Sequence, residues 1–118
     1  MTASTFNLIQ GADFPEQRFP PPREWTESYR GTVSRGRAVM ASSRVVICGL
    51  ARNVGELLPL TIARIERLGN LFADYRVLLY ENDSSDDTPE QLAQWAASSE
   101  RVVIISETLD RPRHESVR

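Results

Sequence analysis

A chain of 118 residues has room for one domain with a modest core and excludes a second catalytic domain. Its net charge of -2, from 14 basic and 16 acidic residues, provides no field that would gather nucleic acid or an anionic membrane surface. Every basic residue is an arginine, which reads more simply as a coding bias than as a device for gripping phosphate.

Residues 1–43 read as an amino-terminal arm. Pro15 and the run Pro20, Pro21, Pro22 favour extended chain, and Phe6, Phe14, Phe19 and Trp25 are expected to cover a surface on the domain or on a partner. Within that arm, residues 26–41 lack proline and place Tyr29, Val33, Arg37 and Met40 at helical spacing, which predicts a short helix despite Gly31 and Gly36.

From residue 44 the pattern becomes α/β. Residues 45–50 form a continuous apolar, β-branched run, the signature of a strand buried on both faces. Cys48, the single cysteine, is then a small buried hydrophobe that excludes an intramolecular disulfide and suits a reducing, cytoplasmic setting. Leu58, Ile62, Ile65 and Leu68 make one helical stripe, with Pro59 in its first turn and Gly69 as its stop. Residues 76–80 predict a second strand. Thr88, Pro89 and Gln91 read as N-cap, first helical position and capping-box partner of a helix that continues through Leu92, Trp95 and Ala96. Residues 101–106 predict a third strand. The order β-α-β-α-β with right-handed crossovers gives three adjacent parallel strands over residues 44–118. The apolar runs fall short of the ~20 residues that span a bilayer, and no basic-then-apolar leader opens the chain.

Such a sheet gathers the loops after its strands at one edge, where ligands bind. Those loops are Ala51, Arg52 and Asn53; Glu81 to Asp87; and Glu107 to Asp110. Arg52 suits a phosphate or carboxylate, and Asn53 either contacts a base or caps the following helix. Glu81, Asp83, Asp86, Asp87 and Glu90 are five acids within ten residues. Glu81 and Asn82 at the strand tip are read as facing a nucleotide's base and ribose, with Asp83 and Ser84 on the rim, while Asp86, Asp87 and Thr88 read as helix-start residues. The turn lacks the glycine and distal glutamate of an EF-hand, and the loop after the first strand lacks G-x-G-x-x-G. His114, the only histidine, reads as a surface residue, and Trp95 as a helix-to-sheet contact.

A strand ending in residues 49–53, Gly-Leu-Ala-Arg-Asn, followed by residues 78–88, Leu-Leu-Tyr-Glu-Asn-Asp-Ser-Ser-Asp-Asp-Thr, and then by Ser106 and Glu107, resembles the amino-terminal half of a GT-A fold glycosyltransferase. The likeness covers roughly residues 42–118. It is nearest to the fungal capsular α-1,3-mannosyltransferase family and its bacterial relatives, and weaker to family-2 glycosyltransferases. The resemblance implies a Rossmann-like nucleotide-sugar site in which Glu81 contacts the base, Ala51, Arg52 and Asn53 line the same pocket with Asn82 and Asp83, and Arg113 and Arg118 lie near the donor diphosphate. It also implies Mn²⁺ or Mg²⁺ in a complete member, held by a later Asp-x-Asp motif; up to Arg118 none follows, so the expectation is nucleotide-sugar binding without transfer to an acceptor by this chain alone. The competing expectation is a non-catalytic α/β module, or a truncated gene product, that self-associates through the open sheet edge.

Overall fold

A computed structural model describes residues 19–110. Residues 1–18 and 111–118, and with them Phe6, Phe14, Pro15, Arg113, His114 and Arg118, lie outside the described residues. The chain divides between Val39 and Met40 into two units.

In the first unit, Pro20 to Pro22 lead into a single 3-10 turn, Arg23–Trp25, and then into α1, Thr26–Ala41, which ends just inside the second unit. The Trp25 N–H closes that turn on the Pro22 carbonyl at 2.9 Å. Phe19 and Trp25, expected to cover a surface, are both exposed, and no residue of α1 is buried. The helix persists through Gly31 and Gly36 because the remaining positions are adequate helix formers and no proline interrupts them.

The second unit is mixed α/β: β1 (Arg44–Ala51), α2 (Leu58–Gly69), β2 (Asp74–Asn82), α3 (Thr88–Ser98) and β3 (Val102–Glu107). The three strands form one parallel sheet in the order β1-β2-β3. Val77 sits at the centre, aligned with Ile47 on one side and Val102 on the other. Both crossovers step in the same direction across the sheet, so both helices arrive on the same face. There Tyr75, Val77, Leu79 and Val102 pack with Leu58, Leu92 and Trp95, and Ile47, Ile62, Ile65 and Ile104 fill in around them. Full burial of Leu92 and Val77 contributes roughly 1.5–3 kcal/mol each. Trp95 is the expected helix-to-sheet contact, and its Nε1–H donates to Glu66 Oε2 of α2 at 3.1 Å.

The first strand departs from expectation. Among the described residues of this unit it is covered on one face only: Arg44, Val46, Cys48 and Leu50 alternate outward and are exposed, with Val46 at 59 % and Leu50 at 60 %. Cys48 is therefore exposed rather than buried. A continuous apolar run specifies strand but not the number of covered faces, and two same-direction crossovers supply a cover for one. Leu68, at the end of the α2 stripe, is also exposed.

Gly69 ends α2, but by a different route from a left-handed glycine cap. No described glycine has positive φ, and the C-cap is Asn70 in right-handed geometry, its N–H donating to Glu66 O at 3.0 Å. What requires glycine is the Tyr75 ring, which would stand 2.5 Å from any Cβ at position 69. Alanine normally stabilises a helix over glycine by about 1 kcal/mol. Gly69→Ala is predicted to reverse that sign and lower stability by about 1–3 kcal/mol through overpacking, whereas Gly36→Ala, with open space at its Cβ, should raise the helix content of α1. Urea denaturation reads the first change and far-ultraviolet circular dichroism the second.

Candidate functional site

The carboxyl ends of β1, β2 and β3 bring Ala51, Glu81 and Ser106 into one register row, so the three following loops do meet at one edge. They are tied together mainly by side chains of the acidic turn reaching backbone amides of its neighbours.

The loop after β1 is held by four groups. Asn53 N–H donates to Ser84 Oγ at 3.1 Å, and Val54 N–H to Thr88 Oγ1 at 2.9 Å. Gly55 N–H donates to Asp86 Oδ2 at 2.9 Å, and Gln91 Nε2–H donates to Gly55 O at 2.7 Å. In return, Asn53 Oδ1 accepts from Ser85 N–H at 2.6 Å and from Ser85 Oγ–H at 3.2 Å. Asn53 adopts φ 52°, a left-handed conformation that asparagine tolerates better than most residues. Gly55 is buried, and any side chain there would meet the carboxylates of Asp86 and Asp87.

Two expectations about capping change accordingly. Gln91 does not close a capping box; its amide is spent on Gly55. Thr88 is not the N-cap but the first residue of α3, fully buried, with its hydroxyl donating to Asp86 Oδ1 at 2.5 Å while accepting from Val54. The N-cap position is held by Asp87 without a side-chain cap bond, and it is Asp86, one residue earlier, whose Oδ1 also accepts Thr88 N–H at 2.9 Å. Asn53 likewise does not cap α2, whose N-cap is Leu57 without a side-chain cap bond.

The loop after β3 is held by Asp83, again left-handed at φ 52°. Asp83 Oδ1 accepts from Leu109 N–H at 2.9 Å and Asp110 N–H at 3.1 Å, and its Oδ2 accepts from Asn82 Nδ2–H at 2.8 Å. Beneath them Glu81 is buried, 2 % exposed, as is Asn82. Glu81 Oε2 accepts Ser84 N–H at 3.0 Å and its Oε1 accepts the Ser106 hydroxyl. Each carboxylate oxygen has two lone pairs, so each keeps one beyond these bonds.

Of the expected site residues, Ala51, Arg52, Asn53, Glu81, Asn82 and Asp83 thus all belong to one edge, with Ala51, Glu81 and Asn82 buried and Arg52, Asn53 and Asp83 on the rim. Sequence reasoning missed Ser84, Ser106, Gly55 and Gln91 as structural ties. The hydroxyl-rich composition of residues 84–88 was the available signal; which amides those hydroxyls would reach depends on loops from other strands.

The divalent ion implied by the resemblance does not fit these residues. Asp83 and Asp86 are turned to different loops and committed to backbone N–H groups, and among the described residues no three of His, Cys, Asp or Glu come together to hold a metal. No helix among them is long and apolar enough to cross a membrane. Comparisons with protein-family models, with characterised proteins and with solved structures give no match to this chain.

Three aspartates titrate below their usual 3.8. At Asp83 the cause is the Asn82 amide first, then Asp110 N–H; at Asp86 it is the Thr88 hydroxyl and then its N–H; at Asp74 it is the bond from Arg101. Partial desolvation opposes each shift. A lowered folded-state value means these carboxylates stabilise the fold above the unfolded-state value and lose that contribution as pH falls through the folded one. The urea midpoint should therefore drop below about pH 4, less steeply in Asp86→Asn than in the parent chain. At neutral pH, Thr88→Val keeps the volume but strands Val54 N–H, and should cost about 1–3 kcal/mol of unfolding free energy.

Proposed function

We propose that this chain is the nucleotide-sugar-binding portion of a GT-A glycosyltransferase, its three-stranded sheet forming the first half of a Rossmann-like domain. The observation that carries the reading is Glu81: a carboxylate buried at the carboxyl tip of the central strand, gripped by Ser84 and Ser106, with acceptor capacity left over. A base N–H or a ribose hydroxyl is the kind of donor that such a group takes. The place is also the expected one, since open parallel sheets bind ligands outside their strand carboxyl ends.

On this reading the nucleoside lies over Ala51, Glu81 and Asn82. Asp83 and Asn53 border the ribose, and Arg52 reaches the diphosphate as a fixed positive charge. Arg113 and Arg118 join the diphosphate by resemblance alone. The pre-tied loops lower the ordering cost of binding, because the backbone around the nucleoside is already fixed. Transfer to an acceptor, and the metal that would assist departure of the nucleotide, are not assigned to these residues.

The second reading, a non-catalytic α/β module, is favoured by the uncovered apolar face of the sheet. Calorimetric titration with UDP and GDP separates the two. Donor binding predicts saturable heat for one nucleotide, with a dissociation constant of about 10 µM to 1 mM, unchanged by manganese. Arg52→Ala should weaken it about tenfold or more, and Glu81→Gln should weaken it through the nucleoside. Absence of heat from the folded chain would leave the non-catalytic module as the better account.

A further inference from the structure

Among the described residues β3 is an edge strand, paired with β2 on one side and with no strand on the other. Two bonds on the paired side fix which of its backbone groups face the open side. Val77 N–H donates to Arg101 O at 2.8 Å, and Asp83 N–H to Glu107 O at 3.2 Å. Successive residues of a strand turn their N–H and C=O to alternate sides, so residues 101, 103, 105 and 107 face β2, and Val102, Ile104 and Ser106 face outward. Val102 N–H is taken by Ser99 O at 3.2 Å. Val102 O, both groups of Ile104 and Ser106 N–H therefore line the outer edge. The devices that usually blunt such an edge are missing: residues 102–106 contain no proline, glycine or charge, and the register with β2 runs unbroken from Val102 to Glu107.

We propose that this edge pairs with the same edge of a second copy of the chain, antiparallel about a two-fold axis that passes through Ile104 perpendicular to the sheet. That axis turns the strand end for end and keeps the helices of both copies on one side, so one sheet runs through the dimer. Ile104 exchanges both of its bonds with Ile104 of the other copy, and on either side Val102 O accepts Ser106 N–H of the other. The same register sets Val103 opposite Ile105, both exposed, in a pair without hydrogen bonds, where side chains come closest. It also brings Arg101 level with Glu107, so the two ends of the pairing carry opposite charges. A parallel pairing would set Arg101 beside Arg101 and Glu107 beside Glu107. The other edge, β1, carries Arg44 at one end and Ala51 at the other, so antiparallel pairing there gains no opposite charges. Strands this short bury less than the ~1,000 Å² of a stable interface, which makes the dissociation constant about 10–100 µM. This proposal is independent of nucleotide binding.

Sedimentation equilibrium of the full chain from about 5 µM to about 1 mM, with amide hydrogen exchange at both ends of that range, tests it. A monomer–dimer equilibrium is expected, in which the Ile104 and Ser106 amides exchange about threefold or more slower in the concentrated sample, while those of Val103 and Ile105, which face β2, change little. Val103→Lys/Ile105→Lys alters two exposed positions and sets lysine opposite lysine, so the dissociation constant should rise about tenfold or more. Val103→Glu/Ile105→Glu should do the same, and an equimolar mixture of the two variants should restore association, because every cross-strand pair is then opposite in charge. A chain that stays monomeric throughout overturns the proposal. So does a dimer whose Ile104 and Ser106 amides exchange as in the monomer, since the contact would then lie on another surface. Protection of those two amides in the dilute chain overturns it as well, because the chain's own residues would then occupy the edge. A mixture of the two variants that stays dissociated does too.

Discussion

The carboxyl edge of this sheet depends on one arrangement: the side chains of the turn after the central strand hold the backbone amides of the loops on either side. Asp86 and Thr88 take Gly55 and Val54 from the loop after β1, and Asp83 takes Leu109 and Asp110 from the segment after β3. Backbone N–H groups in loops need partners as much as those in strands do, and here an acidic turn supplies them. The same bonds lower the titration of both Asp83 and Asp86, three residues apart in the turn. Asp83 accepts from the Asn82 amide and two backbone N–H groups, and Asp86 from the Thr88 hydroxyl and backbone N–H groups.

Glu81 takes no part in those loop-to-loop ties through the β1 loop or the segment after Glu107. It belongs to the strand rather than the turn, it is buried, and its two protein partners hold it from one side each. The proposed nucleotide site rests on this combination, a buried carboxylate with spare acceptor capacity inside a fixed loop frame. In that proposal the rim groups Arg52 and Asn53 would add charge and hydrogen bonding from a loop already held by Ser84 and Ser85.

The second constraint is the direction of the chain. Handedness and a sheet order of β1-β2-β3 put α2 and α3 on one side, so the core forms there and the opposite apolar residues have no cover among the described residues. The element order, the helix at residues 26–41 and the parallel sheet were legible in the sequence because proline placement and apolar periodicity act locally. The face count of β1 was not legible, since Val46, Cys48 and Leu50 are as apolar as their covered neighbours and only the crossover path decides between them. Gly69 was read as a helix stop for its conformational freedom, yet the Tyr75 ring, a contact across the fold, is what excludes a side chain there. That Glu81, Asn82 and Asp83 lie at the carboxyl end of the central strand was legible, because the apolar run stops there. Gln91 and Thr88 misled, because their spacing matches a local capping box while their actual partners, Gly55 and Val54, lie in a loop more than thirty residues earlier.

The account rests most directly on where a nucleotide touches the chain, and backbone amide chemical-shift mapping during titration with a nucleoside diphosphate measures that. Shifts confined to the amides of Ala51 to Asn53 and Glu81 to Ser84, saturating with ligand concentration, are the predicted result. Shifts centred on Val46, Leu78 and Val103, or none at all from a well-dispersed spectrum, would contradict a nucleotide site at the carboxyl edge.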